Sequence, residues 1–255
     1  MSDGRAEALL ALDDLTRRLR RECPWDAEQD ERSIVPHTVE EAYELADAAQ
    51  SGDDAKLVDE LGDVLFQVHF LALLLEERGA GSLAGVAAGV HTKLVRRHPH
   101  VFGETEVEGA GEVLRNWDRI KAGEEGRERG LFAEVPENLP APLYARKVQR
   151  RAAASGFDFG HVPYDAIAAE LEELEAAGED RDAAFGEVGD VLFAAVNVAR
   201  RLRVDPELAL RAAADRFRER VEGAAELAAG GGRDWEDLRP EEQLGYYAQA
   251  RRGEE

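Results

Sequence analysis

Apolar residues recur along this chain at the three-to-four-residue spacing that lines one face of an α-helix, and no stretch shows sustained strand alternation. Leu12, Leu15 and Leu19 form one such series, and Leu61, Leu65 and Val68 another. Short polar breaks punctuate the pattern. Ser51-Gly52-Asp53-Asp54 separates two helices in the first half, and Ala177-Gly178-Glu179-Asp180 separates two in the second. Helices joined so tightly are most simply antiparallel neighbours. The charged stretch from Lys121 to Arg129, followed by Pro136, Pro140 and Pro142, reads as a linker, and Gly230-Gly231-Gly232 precedes a final polar helix. The pattern predicts an all-α protein of two helical domains, residues 1–125 and 143–255, joined by a linker over 126–142.

The two halves are related, and the relation is carried by acids. An E-x-x-E step followed by E-x-G-D and an apolar run occurs twice: Glu41, Glu44, Glu60, Gly62 and Asp63 before Val64-Leu65-Phe66, then Glu170, Glu173, Glu187, Gly189 and Asp190 before Val191-Leu192-Phe193. Residues three apart share a helix face, so each antiparallel pair brings four carboxylates together. Oxygen-only sets of this kind suit hard divalent cations. The repeat extends further. Cys23-Pro24-Trp25-Asp26 corresponds to Ser155-Gly156-Phe157-Asp158, and Lys93-Leu94-Val95-Arg96-Arg97 to Arg216-Phe217-Arg218-Glu219-Arg220. Four elements in the same order do not arise from composition alone.

Each feature also has a structural explanation. With 54 acidic residues in 255, a single E-x-x-E is an ordinary solvated face. Thr38-Val39-Glu40-Glu41 fits a capping box in which Glu41 reaches back to the cap amide. If Asp165 caps the equivalent helix, the third residue on is Ala168, which leaves Glu170 without that role. Glycine inside a helix costs about 1 kcal/mol against alanine, so Gly62 and Gly189 imply either a close approach of ligand or backbone, or tight helix packing. The apolar runs after Asp63 and Asp190 read as core. Lys93, Arg96 and Arg97 form either a solvated face or a cluster for phosphate oxygens. His91, His98 and His100 lack nearby cysteines, and His98-Pro99-His100 resembles a helix-ending turn more than a zinc site.

Composition narrows the chemistry. A net charge of −22 disfavours nucleic acid and anionic membranes as partners, and it means that an anionic small substrate needs a metal ion for admission. The single cysteine, Cys23, forms no intrachain disulfide and fits a reducing compartment. The opening MSDGRAEALL lacks the signature of a secretory signal, and the apolar stretch from Val64 to Leu75 is too short to span a bilayer. A cytoplasmic location is expected.

The runs Cys23-Pro24-Trp25-Asp26, Glu40-Glu41-Ala42-Tyr43-Glu44, Glu60-Leu61-Gly62-Asp63, Arg96-Arg97-His98-Pro99-His100-Val101-Phe102 and Asn116-Trp117-Asp118-Arg119-Ile120-Lys121 closely resemble the MazG family of nucleoside triphosphate pyrophosphohydrolases in its tandem form. The resemblance covers nearly the whole chain, including the segment from Lys147 to Asp158 that opens the second half. It implies an all-α fold of two related helical domains, a homodimer, and Mg²⁺-dependent hydrolysis of nucleoside triphosphates to monophosphate and pyrophosphate, with Mn²⁺ as an alternative ion and nucleotide-pool housekeeping as the role. The metal ligands implied are Glu41, Glu44, Glu60 and Asp63, with Glu170, Glu173, Glu187 and Asp190. Glu41 or Glu44, and Glu170 or Glu173 in the second half, would orient the attacking water. Substrate contacts would come from Trp25, Lys93, Arg96 and Arg97, and from Lys147, Phe157, Asn197, Arg216 and Arg220. Ala169 stands where the first copy has Glu40, and Glu219 interrupts the basic pair. Asn197, seven residues after Asp190, replaces Phe70 of the first copy and points to the second half as the competent site. Two other classes share these features: a carboxylate-bridged metal bundle, and a non-catalytic nucleotide sensor or scaffold.

Overall fold

In a computed structural model, which describes residues 3–124, 130–133, 135–158 and 160–253, the chain divides into two compact units, Met1–Ala122 and Gly123–Glu255. Twelve α-helices are found among the described residues. The first unit holds α1 (Asp3–Glu22), α2 (Pro24–Glu28), α3 (Glu31–Ser51), α4 (Asp54–Glu77), α5 (Leu83–Arg97), α6 (Pro99–Phe102) and α7 (Ala110–Ala122). The second holds α8 (Ala141–Ala154), α9 (Tyr164–Ala177), α10 (Arg181–Leu202), α11 (Pro206–Gly230) and α12 (Pro240–Arg252). The stretch read as a linker therefore ends in helix, since Ala141 and Pro142 open α8.

In the first unit α3 and α4 pack along one another, with α1 and α5 against α4. The break between α3 and α4 works as its sequence suggests. Gly52 takes φ 72°, a left-handed conformation that suits glycine, and the Asp53 carboxylate accepts from the backbone N–H groups of Ala55 and Lys56. The core under this hairpin is small: Ile34, Phe70 and Leu74 are buried, with Phe66 and Leu71 packed against them. α1 is fastened to the far end of α4 by ion pairs. Arg17 binds Glu76 with both terminal nitrogens at 3.0 and 2.7 Å, and Arg20 binds Glu77 at 2.9 Å while donating to the backbone oxygens of Asp26 and Gln29.

Two helix starts differ from expectation. α3 begins a full two turns before Thr38, because Asp30 caps it: the carboxylate accepts from Arg32 and Ser33 N–H while the Ser33 hydroxyl accepts from Asp30 N–H. Pro36 lies inside the helix and only removes one backbone donor. Thr38 is thus mid-helix, its hydroxyl bonded to the Ile34 carbonyl, and Glu41 has no cap to serve. In the second unit Pro163, not Asp165, precedes α9, and Asp165 sits in the first turn.

The second unit repeats the hairpin. α9 and α10 pack along one another, α8 lies on α10, and α11 pairs with α12 and touches α8 and α10. Gly178 ends α9 at positive φ, and the Asp180 carboxylate caps α10 by accepting from Asp182 and Ala183. The runs read as core are core only in part. Phe66 is half-buried against the cluster, but Leu65, Leu192 and Phe193 are 38%, 60% and 44% exposed, a level that leaves the two hairpins with an open apolar flank.

Candidate metal centres and the adjoining pocket

Packing α3 against α4 places Glu41 beside Glu60 and Asp63, with one carboxylate oxygen from each within 4.8 Å of the others; Glu170, Glu187 and Asp190 form the same arrangement between α9 and α10. The two groups have the same residue types and the same exposure, the glutamates half-buried and the aspartate exposed. Glu44 and Glu173 stand outside these tight sets, both exposed one turn along their helices, although each is close enough to push up the protonation of its neighbour. Glu40 pairs with His37 at 3.7 Å and is no member of the first triad, so Ala169 removes no carboxylate from the second.

The electrostatics follow from crowding. Burial first, then the charges of Asp63, Glu44 and Glu60, hold the Glu41 carboxyl above its ordinary value. Glu170 is raised in the same way, by burial and then by Glu173, Asp190 and Glu187. Glu60 is raised by burial and then by Glu44, with Lys56 opposing. Like charges without a counterion favour the protonated form, so the sets fit a divalent cation held by oxygen ligands. A carboxyl raised in the folded state binds its proton more tightly there than in the unfolded chain. Its contribution to stability is therefore lost as pH rises from the ordinary glutamate value through the raised one. A bound cation opposes that loss, so Mg²⁺ should raise the melting temperature more at about pH 7.5 than at about pH 4.5. Equal shifts at the two pH values in differential scanning calorimetry would show that these carboxylates do not take the ion.

Neither Gly62 nor Gly189 is held by tight packing within the chain. A Cβ built on either meets no described atom within 4 Å, which overturns the packing explanation and leaves both glycines on an open surface beside the acids. Leu61 and Val58 flank Gly62, and Phe185, Val188 and Leu192 flank Gly189, all of them 44–84% exposed.

The halves part company two turns beyond the acids. In α4 the residue seven after Asp63 is Phe70, 1% exposed, which fills the space together with Ile34 and Leu74. In α10 that place belongs to Asn197, and a cavity of about 440 Å³ opens there, lined by Phe132, Gln149, Phe157, Phe193, Asn197 and Arg200 among others. Phe157 is 72% exposed on its rim. Trp25, its counterpart, is also exposed and stands edge-on to His37 with centroids 5.8 Å apart, so neither ring is the buried aromatic that its sequence context permits.

The basic residues are scattered. Lys93 and Arg96 are exposed on α5, Arg216 is exposed and Arg220 half-buried on α11, and Lys147 is exposed on α8. Arg97 departs from the solvated-face reading: it is 6% exposed, with its guanidinium 4.9 Å over the Trp117 ring, a contact between α5 and α7. Sequence reasoning missed three polar residues of the cavity wall, Gln149, Asp158 and Arg200. Arg200 carried a signal, since it lies three residues after Asn197 and so on the same face of α10.

Fold and site together define an all-α protein with two carboxylate centres built on repeated helical hairpins. Residues 29–102 match the MazG nucleotide pyrophosphohydrolase domain. The chain is 39% identical over 236 residues to the nucleoside triphosphate pyrophosphohydrolase/pyrophosphatase MazG of Thermotoga maritima, covering 91% of each. It is also 39% identical over 218 residues to the nucleoside triphosphate pyrophosphohydrolase of Escherichia coli K12, covering 82% of this chain and 83% of that one. The chain belongs to the MazG nucleotide pyrophosphohydrolase family and is a hydrolase.

Proposed function

We propose that the protein hydrolyses nucleoside triphosphates at the α–β bond, giving the monophosphate and pyrophosphate, as a cytoplasmic housekeeping enzyme of the nucleotide pool. The observation that carries this reading is in the second half, where the acid triad and a nucleoside-sized cavity share one helix. Asp190 and Asn197 are two turns apart on α10, about 10 Å along its axis, a separation comparable to that between a nucleoside and its outer phosphates.

Glu170, Glu187 and Asp190 would hold Mg²⁺, or Mn²⁺ in its place, with Glu173 completing the set; bound there, the ion would neutralise phosphate charge and activate water. The chain's own residues supply the rest. Glu170 or Glu173 orients the attacking water and accepts its proton, a role that for Glu170 suits a carboxyl raised by burial and then by its neighbours. Phe157 and Phe193 offer apolar faces to a base, and Asn197 a polar contact. Lys147, Arg216 and Arg220 are the cations of this unit assigned to phosphate oxygens. In the first half Glu41, Glu44, Glu60 and Asp63 are expected to hold a cation, with Lys93 and Arg96 as the cations of that unit, and the buried Phe70 takes the place that Asn197 has in the second half.

The exposed apolar residues beside Gly62 in the first unit, and separately those beside Gly189 in the second, support a homodimer. The test is product analysis on the species that light scattering gives as twice the 28.0 kDa chain mass. A panel of common ribo- and deoxyribonucleoside triphosphates with Mg²⁺ should yield monophosphate and pyrophosphate in equal amounts. Diphosphate and orthophosphate as products would overturn the reading.

A further inference from the structure

The second half carries a charged clasp at its cavity that the first half lacks. Asp158 accepts from Arg200 Nη2 at 2.6 Å and from Arg201 Nη1 at 3.1 Å, and Arg200 Nε donates to Asn197 Oδ1 at 3.0 Å. Arg200 is only 15% exposed in this arrangement. The chain of contacts settles the orientation of Asn197. A guanidinium can only donate, so the Asn197 carbonyl oxygen faces Arg200 and its NH₂ group faces elsewhere. That group has no other partner among the described residues, and Asn197 lines the cavity.

The first half provides the contrast. Asp26 stands where Asp158 does in the repeat, but the α4 residues matching Arg200 and Arg201 are Leu73 and Leu74, both buried. There the loop is held instead through backbone oxygens by Arg20 of α1. The clasp adjoins the cavity of the second half, and the first half has core leucines in its place.

We infer that Asp158 is a positioning residue: through Arg200 it presents Asn197 to the cavity as a hydrogen-bond donor only, so that the nucleoside bound there must offer a carbonyl oxygen or ring nitrogen to the Asn197 amide. The same contact pins the residue next to Phe157 and so sets that ring on the rim. This rests on the nucleotide reading of the cavity. It adds a residue of the cavity wall that acts through the orientation of Asn197. A double-mutant cycle separates its effect on binding from any general loss of stability.

The experiment is a double-mutant cycle of Asp158→Ala and Asn197→Ala, read in two ways. One is kcat and KM for the best triphosphate of the panel; the other is the Kd of that triphosphate's non-hydrolysable α,β-methylene analogue, by calorimetry with Mg²⁺ present. Asp158→Ala should raise both KM and Kd about tenfold while kcat stays within about twofold, and should add little once Asn197 is already alanine. Arg200→Lys, which keeps the charge but not the fork that bridges Asp158 and Asn197, should behave like Asp158→Ala. An unchanged Kd in Asp158→Ala, or effects of the two substitutions that simply add, would overturn the inference whatever the turnover. Analogue binding with the expected coupling but no pyrophosphate release would instead sink the hydrolytic reading and leave the positioning role standing.

Discussion

Replacing both aspartates of the triads, Asp63→Ala with Asp190→Ala, is expected to abolish turnover, a fall of about 10³-fold or more, while circular dichroism stays close to that of the parent. The size follows from the chemistry. Each aspartate is one of three carboxylates whose oxygens converge within 4.8 Å, and removing a ligand from a cation that stabilises phosphate charge forfeits several kcal/mol in the transition state, with each ~1.4 kcal/mol a factor of ten. The helices should persist because both aspartates are exposed and neither caps a helix. Of the two single variants, Asp190→Ala should carry nearly the whole loss, and Glu173→Ala should lower kcat more than Glu44→Ala. A larger loss from the first-half substitutions would move the active site to the other triad. Wild-type activity in the double variant at saturating Mg²⁺ would remove both triads from catalysis.

Asn197→Phe is the second large effect expected, because it makes α10 resemble α4. Phe70 shows what that side chain does in this hairpin: it is 1% exposed and closes the core with Ile34 and Leu74. At position 197 the ring would enter the 440 Å³ cavity and take the place of a nucleoside. kcat/KM should fall about 10²-fold, while Mg²⁺ still raises the melting temperature because the triad is untouched. The reciprocal Phe70→Ala should leave activity near normal but cost the first unit ~3–5 kcal/mol, as truncating a buried aromatic does. Full activity in Asn197→Phe would show that the cavity is not where the nucleoside binds.

Much of this architecture was legible in the sequence because it rests on local rules. Gly52 and Gly178, each followed by an aspartate cap, state where the helices break, and the spacing of Glu41, Glu60 and Asp63 states which faces meet once the pair is antiparallel. What was not legible depends on distance or on competing local signals. The capping-box match of Thr38 to Glu41 obscured the true start of α3, which Asp30 and Ser33 set. The burial of Arg97 under the Trp117 ring, twenty residues on, has no local signal. Glu44 and Glu173 have the right spacing for the acid sets, yet their placement one turn along leaves them outside the tight triads. The cavity itself draws on Leu131 and Phe132 before α8, on Gln149 within it and on Asp158 after it, a set with no periodicity to find. The packing reading of Gly62 and Gly189 failed in an instructive way, because a glycine that packs against nothing in its own chain gives no sign of that in sequence.

The exchange of Phe70 for Asn197 also determines how each half tolerates change. At position 70 the constraint is volume, and acceptable replacements should rank by how well they fill the space, with leucine and methionine ahead of any polar residue. At position 197 the constraint is hydrogen-bond polarity, so residues of nearly the same size should differ sharply: aspartate keeps the contact with Arg200 but offers no donor. A saturation library scored for folding stability at position 70 and for activity at position 197 would therefore give two different profiles at equivalent points of one repeated hairpin, one written by shape and the other by chemistry.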